Sequence, residues 1–510
     1  FEERFKKQEF PQSQRVPVKP DSLKPVFPAA MRKVNFLLQR MVIKGSTVYG
    51  KRRFSRLFRK YLHRRINLEQ VYTIAQQITN MYRNDGYILS KAVVPPQKIE
   101  AGVVRINVIE GFVDRVAIQG QVRGPRKLLS EYRRGILRSR PLKAKDLERY
   151  LLLVDDLPGV SVKSVLTPSK DKPGATNMTL ILSNKAYEGS LGLDNRGTEF
   201  NGPIQINAGL SGNAVFKNYE RIGLQTVVTS NTDELQFFSG FYEQPISSEG
   251  SKLFFSASVS DSKPGDVLEE FEVVGESKTF ALKITHPFIR SRAENLTGTL
   301  GFTHRNSTTD ILGTLDSEDR LRIVNLGLSY DFVDEYRGVN LMSFNLSKGF
   351  DILNSTETGS ENLTRETGHS DFTKLSGQVL RLQQLAPSWM LLGAFSWQYS
   401  FEKLLSSEEF GVGGAQFGRA YDSSEITGDQ GVAFKLELQK AFQPKQKYLR
   451  DVQAYTFFDY GAVWNRIPTS TGSTVQDLNS LGVGARFNVT DTISGYLEWD
   501  KPLNQEVSAK

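Results

Sequence analysis

The chain has 510 residues, more than one ordinary compact domain holds, so two or more folding units are expected. It contains no cysteine, which excludes a disulfide scaffold, a thiolate nucleophile and a cysteine-ligated metal site. The net charge is +9 and the mean hydropathy is −0.36, and no stretch approaches the roughly 18 apolar residues of a membrane helix. A helical membrane protein is therefore excluded, whereas a β-barrel remains possible because its strands alternate apolar and polar residues.

The first 33 residues are polar and interrupted by prolines, so no packed domain is expected there. Residues 1–9 are predicted to be a helix remnant, and the remainder of residues 1–33 a linker. The chain starts at Phe1 without a charged and apolar leader, so an exported protein would already have lost its signal peptide.

Residues 34–112 alternate strand and helix patterns and are predicted to form a first α+β module. Its order is β-α-α-β-β, and it ends at Glu110-Gly111. The elements are predicted at residues 35–48, 51–65, 68–82, 87–94 and 103–108.

The second of these elements carries most of the positive charge. Residues 51–65 contain eight lysines and arginines and no acidic residue. Their apolar residues have helical spacing, which predicts one amphipathic helix with a solvated basic face. An anionic membrane surface or an acidic partner stays open as an alternative, whereas nucleic acid is not expected, because no recognised binding module surrounds the segment.

Residues 113–187 repeat the same β-α-α-β-β order, so the chain contains two modules of one plan in series. The elements of this second module are predicted at residues 113–118, 126–138, 145–154, 160–167 and 178–182.

From residue 188 to residue 510 helical spacing disappears, and apolar and polar residues alternate with period 2 between turn-forming clusters. In residues 432–438, for example, Phe434 and Leu436 share one face, and Lys435 and Glu437 share the other. Many segments reach ten or more residues, longer than the average strand of a soluble protein. A tilted membrane-crossing strand needs roughly 9–11 residues, so residues 188–510 are predicted to form an antiparallel transmembrane β-barrel.

Fifteen such segments can be counted. Because single-chain bacterial barrels have an even number of strands, the prediction is a 16-stranded barrel whose last strand is missing from this chain. The segments are residues 188–195, 202–212, 219–231, 233–244, 250–261, 277–289, 294–309, 318–332, 338–349, 370–382, 387–402, 430–442, 451–465, 476–488 and 490–499.

Nothing in the sequence indicates an enzyme. The four histidines lie on separate predicted elements without metal-site spacing, and no nucleophile elbow follows a strand. Lumen-facing acids such as Glu437, Asp459 and Glu498 could act as acid and base, but ion pairs with lysine and arginine are the more ordinary role. The glycine-rich run 411–418 lacks the ending of a phosphate loop, and it is interpreted as backbone that bends sharply. No catalytic residue, metal or cofactor is predicted.

Short motifs recur along nearly the whole chain. They are Tyr82, Gly86-Tyr87, 94–97, Gly102 and Glu110-Gly111 in the first module, 156–160 in the second module and 193–197 at the start of the barrel. In this order they resemble one family, the outer-membrane transporters of two-partner secretion, which export haemolysins and filamentous haemagglutinins and belong to the BamA superfamily. The two modules are similar to the paired POTRA domains of that family, and the barrel opens as family barrels do.

Two further motifs are sharper. Residues 417–422, with Gly418, Arg419, Tyr421 and Asp422, are similar to the family's Arg-Gly-Tyr signature in a loop that folds back into the pore. Ala420 stands where the family usually has glycine, which argues against a left-handed turn at that residue.

The partner motif of the family is matched on the thirteenth predicted strand by Phe457, Asp459 and Gly461. Period 2 places these three residues on one face, opposite the apolar Phe458 and Tyr460, so Asp459 is predicted to point into the lumen. Gly461 would leave room for the loop to lie against the barrel wall. The alternative is an exposed loop, with another lumen cation beside Asp459; the resemblance favours a contact between Arg419 and Asp459.

The resemblance implies a function and partners. The POTRA modules would bind an unfolded exoprotein in the periplasm, and the barrel would secrete it to the cell surface. The exoprotein would be a large β-helical adhesin, haemolysin or toxin. Outer-membrane lipid and the barrel-assembly machinery, which inserts such barrels, are the other expected partners.

Two alternatives remain at this stage. A BamA-like insertase for other barrels is disfavoured by the presence of only two POTRA-like modules. A passive or ligand-gated porin would explain the barrel but neither the doubled module nor the motif on the thirteenth strand.

Overall fold

The computed structural model describes residues 29–444, 449–466 and 475–504. The chain divides into two compact units, one covering Pro17–Lys185 and one that contains Ala186–Lys510. The helix predicted at residues 1–9 lies outside the described residues. Over the part that is described, no helix is long and apolar enough to span a membrane.

The first module has the predicted β-α-α-β-β order with a short extra strand before its second helix. In its sheet β5 lies between β2, which is parallel to it, and β4, which is antiparallel. The second helix contributes Ile74, Ile78 and Tyr82 to a core that includes Val104 and Ile106. The elements are β1 (Asn35–Leu38), β2 (Arg40–Lys44), α1 (Lys51–Phe58), β3 (Arg64–Asn67), α2 (Leu68–Asn84), β4 (Lys91–Val93) and β5 (Val103–Ile109), with 3-10 helices Ala29–Arg32 and Arg59–Tyr61.

The prediction of one helix over residues 51–65 is wrong at its C-terminal end. The α-helix stops at Phe58, a 3-10 turn follows, and His63 takes a left-handed conformation with φ 59°. Strand β3 then pairs with β1, which places Ile66 opposite Phe36. Tertiary pairing of this apolar residue overrides the helical spacing, and Asn67 is left free to form the capping box of α2 with Gln70.

The second module repeats the plan as predicted. Its sheet has β8 between β6 and β7, so β7 is an edge strand. The helices pack their buried faces, which include Tyr132 and Ile136, over this sheet. The elements are β6 (Phe112–Gln119), α3 (Arg126–Arg138), α4 (Ala144–Asp155), β7 (Val160–Pro168) and β8 (Ala175–Asn184).

Main-chain hydrogen bonds join the two modules directly. The N–H of Ala144 donates to the carbonyl of Gly86 at 2.8 Å, and the N–H of Leu142 donates to the carbonyl of Gly111 at 2.9 Å. The N–H of Gly111 donates to Ser90 Oγ at 3.1 Å. Gly86 and Gly111 belong to the motifs noted in the sequence, and their place in the structure is the joint between the modules.

The second unit is one antiparallel sheet of fifteen strands among the described residues, the number counted from the sequence, and the predicted fold class is confirmed. Neighbours in the sheet are neighbours along the chain, which is the order of an up-and-down barrel. The strands are β9 (Tyr187–Asp194), β10 (Gln205–Asn213), β11 (Arg221–Thr229), β12 (Leu235–Pro245), β13 (Lys252–Ser262), β14 (Val274–Arg290), β15 (Glu294–Ile311), β16 (Thr314–Val333), β17 (Gly338–Gly349), β18 (Thr373–Ala386), β19 (Trp389–Ser400), β22 (Gln430–Phe442), β23 (Asp451–Trp464), β24 (Val475–Asn488) and β25 (Ser494–Pro502).

The two faces of this sheet differ as the alternation predicts. On β22 the side chains of Phe434 and Leu436 are exposed, whereas Lys435 and Glu437 are buried. The two end strands of the sheet also come together, because Arg196 Nη2, just after β9, lies 3.0 Å from Glu498 Oε1 on β25. The sheet therefore curls into a barrel with an apolar outer wall and a polar lumen.

One small sheet was not predicted. The loop between β19 and β22 contains β20 (Phe410–Val412) and β21 (Ile426–Gly428), which pair antiparallel. Both contact the inner face of β23. The loop therefore folds back along the barrel wall.

Candidate functional site

The candidate site lies where this loop meets the barrel wall. Arg419 is on the loop segment between β20 and β21, Glu437 is on β22 and Asp459 is on β23. Register pairs Asp459 with Lys435 across the two strands, so the charged side chains of both strands face the same side of the wall. The structure thus brings together the pore-loop motif and the wall motif that the sequence indicated.

Arg419 holds Asp459 with a two-pronged ion pair. Nε of Arg419 lies 2.9 Å from Oδ2 of Asp459, and Nη2 lies 3.0 Å from Oδ1. The main-chain N–H groups of Gly418 and Arg419 also donate to Oδ2, each at 3.2 Å. Both oxygens of the carboxylate therefore accept hydrogen bonds from one loop, an arrangement that suits anchoring.

The remaining nitrogen of the guanidinium reaches two more carboxylates. Nη1 of Arg419 lies 2.6 Å from Glu437 and 3.4 Å from Glu498. Glu437 is shared with Arg486 of β24, whose Nη1 is 2.7 Å away. The site is a network across four strands and not an isolated pair.

An aromatic floor supports the network. The guanidinium of Arg419 lies 3.3 Å from the centre of the Phe457 ring, and that of Arg486 lies 3.9 Å from the centre of the Tyr455 ring. Phe457 in turn lies over Gly482, where a Cβ atom would come within 2.3 Å of its ring. A bare glycine on β24 thus makes room for the ring on which the cation rests.

The central ion pair between Arg419 and Asp459 is buried, so breaking it is costly. The side chains of Arg419 and Asp459 are 3% and 0% exposed. A buried charge whose partner is removed typically costs about 3–5 kcal/mol, because it cannot recover its hydration. The loop is therefore held by a contact that is strong in one geometry and unfavourable when half broken.

The other residues of the loop motif shape the turn. Gly413, Gly414 and Gly418 have φ values of 125°, 81° and 85°, whereas Ala420 does not fall in the left-handed region. Glycine supplies the bends of run 411–418, and alanine is tolerated at position 420 because the turn does not need a positive φ there.

Tyr421 and Asp422 contribute differently from Arg419. The hydroxyl of Tyr421 lies 3.1 Å from the carbonyl oxygen of Asn479 on β24, and its ring belongs to the buried cluster under the loop. The carbonyl of Asp422 accepts from the N–H of Glu425 at 3.2 Å and closes the turn. Tyr421 fixes the loop to the wall, and Asp422 stabilises the turn of the loop itself.

Two wall glycines provide the surface on which the loop lies. A Cβ atom at Gly461 would come within 2.3 Å of Val412 Cγ1, and one at Gly431 would come within 2.2 Å of Phe410 Cδ1. Val412 and Phe410 are on β20, so any side chain at these wall positions would collide with the loop sheet.

A second charged anchor near the outer end of the barrel was missed from the sequence. Arg365 Nη1 lies 2.6 Å from Asp429 and 2.9 Å from Glu409, and it also donates to the carbonyl of Leu404 at 2.6 Å. Asp429 is fully buried. Arg365 is 64 residues from Asp429 in the sequence, and no local pattern links the two.

Glu110, in the first module, ties three elements together. Its Oε1 accepts hydrogen bonds from the N–H of Thr47 at 2.8 Å, the N–H of Val48 at 3.0 Å and Tyr82 Oη at 2.7 Å. Burial alone would raise the pKa of Glu110, but hydrogen bonds from Thr47, Tyr82 and Val48 outweigh it and hold the pKa below its ordinary value. The motif residues Tyr82 and Glu110 are thus structural.

Within the described ranges, no group of three or more His, Asp and Glu side chains could hold a metal ion. The clustered carboxylates of the barrel are used by arginines instead.

Comparison with protein families identifies this arrangement. The model for haemolysin secretion/activation proteins of the ShlB/FhaC/HecB type matches residues 181–487, more than half of the chain. The chain belongs to this family. The model for the ShlB-type POTRA domain matches residues 36–111, the first module.

Individual relatives agree with this assignment. The haem/haemopexin transporter protein HuxB of Haemophilus influenzae strain 86-028NP is 23% identical over 461 residues, which cover 88% of this chain and 80% of HuxB. The outer membrane transporter CdiB of Dickeya dadantii is 24% identical, over 79% of this chain and 72% of CdiB. The solved structure of CdiB from Escherichia coli has the same fold, with a TM-score of 0.75 at 20% identity, over 94% of this chain and 89% of CdiB.

The chain is therefore a two-partner secretion transporter of the outer membrane, and its POTRA modules lie in the periplasm. It is a translocation pore that recognises a secreted exoprotein through these modules and exports it to the cell surface. The relatives are transporters of this kind, so the insertase alternative is not supported.

Proposed function

We propose that Arg419 is the anchor that keeps the loop inside the pore at rest, and that export requires its release from Asp459. The observation that carries this proposal is the buried two-pronged pair, with the side chain of Asp459 0% exposed. Gly418, Tyr421 and Asp422 shape and fix the anchored loop, and Phe457 and Gly461 form its seat on the wall. No residue of the site has a catalytic role.

The periplasmic half of the mechanism has a specific candidate surface. Strand β7 is a nine-residue edge strand of the second module. The N–H of Val162 donates to Asp155 Oδ1 and so points away from β8. Because main-chain directions alternate, the N–H groups of Ser164 and Leu166 face the same open edge. We assign this edge to capture of the unfolded exoprotein by strand addition.

The edge of the first module is less suited to this role. Its edge strand β4 has three residues, and the N–H of Ala92 is occupied by Thr79 Oγ1 at 2.9 Å. The first module therefore offers little free main chain on that side.

The domain boundaries follow from these roles. Residues 34–112 and 113–187 form the two POTRA modules that receive the exoprotein, and residues 188–510 form the pore in outer-membrane lipid. Residues 1–33, most of which lie outside the described residues, precede them. Insertion of the pore by the barrel-assembly machinery is part of the same proposal. The exoprotein is a large β-helical adhesin, haemolysin or toxin, and its folding at the cell surface supplies the energy of export.

Export of the secreted protein encoded beside the gene for this chain tests the proposal. Cells that make both proteins are expected to show the exoprotein on their surface, and the Ser164→Pro variant is expected to lose at least about tenfold of that signal. Proline removes an edge-facing N–H and leaves the ladder with β8 intact.

Ser164→Ala is the matched control, since it removes the same hydroxyl but keeps the N–H, and it should export normally. Absence of any exported partner in the unaltered strain would contradict the function itself. Normal export by Ser164→Pro would contradict only the assignment of β7.

A further inference from the structure

Three neighbouring strands of the barrel are much longer than a membrane crossing requires. Strands β14, β15 and β16 have 17, 18 and 20 residues, against roughly 9–11 for a tilted transmembrane strand. The chain enters the sheet at β9 from the periplasmic modules, so strand parity places the turn between β15 and β16 on the outer side. The outer ends of these three strands therefore extend beyond the membrane.

The outer end of β16 has a strand on one side only. Its pairing with β15 continues to Thr314, but its pairing with β17 stops at Ile323. Among the residues that the structure describes, no strand pairs on the β17 side with residues 314–322, here called the β16 edge. An exposed edge of this kind invites pairing by another chain unless something covers it.

The segment after β17 covers this edge with hydrogen bonds from separate residues and not with a strand ladder. The carbonyl of Arg322 accepts from the N–H of Phe350 at 2.9 Å, and the carbonyl of Arg320 accepts from the N–H of Thr356 at 3.0 Å. We call residues 350–364 the cover.

The bonds to the cover recur at every second residue of β16. Besides Arg322 and Arg320, Glu318 donates its N–H to the carbonyl of Asn362 at 2.7 Å. An added antiparallel strand would form hydrogen bonds with the same outward main-chain groups, which occur at every second residue. The cover thus occupies the hydrogen-bonding positions that an added strand would take, although it is not itself a strand.

Part of the cover is held in an unfavourable conformation. Leu353 has a φ of 51°, in the left-handed region that is costly for leucine. Asn354 and Asn362 lie in the same region, at 59° and 61°, which asparagine tolerates better. Ile352 and Leu353 are also 47% and 65% exposed. An extended segment would satisfy the same main-chain groups without the strain at Leu353, so exchange of the cover for a strand relieves backbone strain in this segment.

The cover also packs against the loop between β19 and β22. Leu363 packs on the buried cluster that contains Leu321 and Leu404, and Arg365 directly follows the cover with its bonds to Asp429 and Glu409. The cover and the β16 edge therefore lie beside the loop whose release the proposed function requires.

We propose that the β16 edge is a docking site for an extended segment of the exported chain, and that the cover occupies this site at rest. The emerging segment displaces the cover and adds to β16 as a strand, so that its first β-structure forms on the transporter. The occupant is the exported chain because it arrives unfolded, with unpaired main-chain groups. This inference rests on the proposed export function.

Photo-crosslinking in cells that make the full chain and the secreted protein encoded beside its gene tests the docking. A photoreactive phenylalanine analogue replaces the exposed Asp316 on the β16 edge. The control places the same analogue at Thr308 of β15, whose main chain is paired with Glu276 on one side and Glu318 on the other. We expect at least fivefold more adduct with the exoprotein from position 316 than from position 308. Equal adducts, or none at 316 while export proceeds, would overturn the docking site.

A reversible lock tests the displacement. The Thr364 hydroxyl lies 2.5 Å from Asp319 Oδ2, so Asp319→Cys with Thr364→Cys can be bridged by a short reducible thiol crosslinker in a chain that has no other cysteine. We expect the bridged chain to form no adduct with the exoprotein at position 316 and to export at least tenfold less of it. Addition of a reductant should restore both the adduct and export.

The matched lock joins Ile311→Cys to Thr314→Cys at the tip of the same hairpin, where it leaves the cover free. It should export normally when bridged. Normal export with the cover locked refutes the inference while the export function stands. No export by the unaltered chain refutes the function instead.

Discussion

Replacement of Arg419 by alanine is the most direct perturbation of the proposed anchor. The change removes two bonds to Asp459 and one each to Glu437 and Glu498. Glu437 keeps Arg486, and Asp459 keeps the main-chain N–H groups of residues 418 and 419, so the lower end of the usual 3–5 kcal/mol applies. A loss of about 3 kcal/mol corresponds to a roughly 100-fold larger population of the released loop.

Thiol labelling can measure that population. Val412 is fully buried in the loop sheet and the chain has no cysteine, so Val412→Cys gives a single reporter. In the Arg419→Ala background we expect the cysteine to react with a membrane-impermeant maleimide roughly 100-fold faster, while the barrel stays inserted. Export should fall, because the released loop no longer returns to a defined resting position between exported chains.

Arg486→Ala is the matched control. It removes another arginine from the same network, but its side chain is 42% exposed and does not bond Asp459. Exposed ion pairs contribute about 0–1 kcal/mol, so labelling should rise less than about fivefold. Equal effects of the two substitutions, or unchanged labelling and export in Arg419→Ala, would refute the assignment of Arg419 as the anchor.

Three further predictions follow from other contacts. Gly461→Val should raise the same labelling, because its Cβ would lie 3.1 Å from the Cβ atom of residue 412, which the cysteine reporter keeps. Gly393→Ala, with nothing within 4 Å, should not raise it, and equal rates would contradict the role of the wall glycine. Glu110→Gln should destabilise the first module by about 1–2 kcal/mol, measured by hydrogen exchange at Thr47 and Val48. The pKa of Glu110 is lowered in the folded state. Its contribution to the stability of the first module is therefore present above the unfolded pKa and lost as the pH falls through the folded pKa. The Glu110→Gln variant should not show this loss of hydrogen-exchange protection at acid pH. Arg365→Ala should increase ion conductance in planar bilayers, because it breaks the ion pair with the buried Asp429. Arg381→Ala, which breaks an ion pair with Asp334 at the periplasmic end, should leave the conductance unchanged. A larger increase in Arg381→Ala than in Arg365→Ala would exclude Arg365 as an outer anchor.

The barrel was predictable because period-2 alternation is local and the strands are long. All fifteen segments counted from the sequence correspond to strands, with ends displaced by a few residues. The inward direction of Asp459 followed from the same alternation. The contact with Arg419 needed the resemblance to a known family, since a loop side chain has no periodicity that fixes its direction.

What could not be predicted depends on distant contacts. The basic helix ends early because Ile66 pairs across to Phe36, which the spacing of residues 51–65 does not reveal. The three-residue strands β20 and β21 are too short for a pattern. The bond from Arg365 to Asp429 and the cover on β16 join segments that only the folded barrel brings together.

The charged character of the anchor fits a loop that must be released. An apolar plug of similar volume would be as stable or more stable at rest, because replacing a buried ion pair by well-packed apolar residues is often neutral or favourable. Such a plug would expose apolar surface to water when it left the wall. Arg419, Asp459 and Glu437 behave differently, since they satisfy one another when the loop is seated on the wall and can each be hydrated when it leaves. The free energy of the network is thus high only when one charge has lost its partner but is still buried. This favours two defined positions of the loop over a gradual loosening.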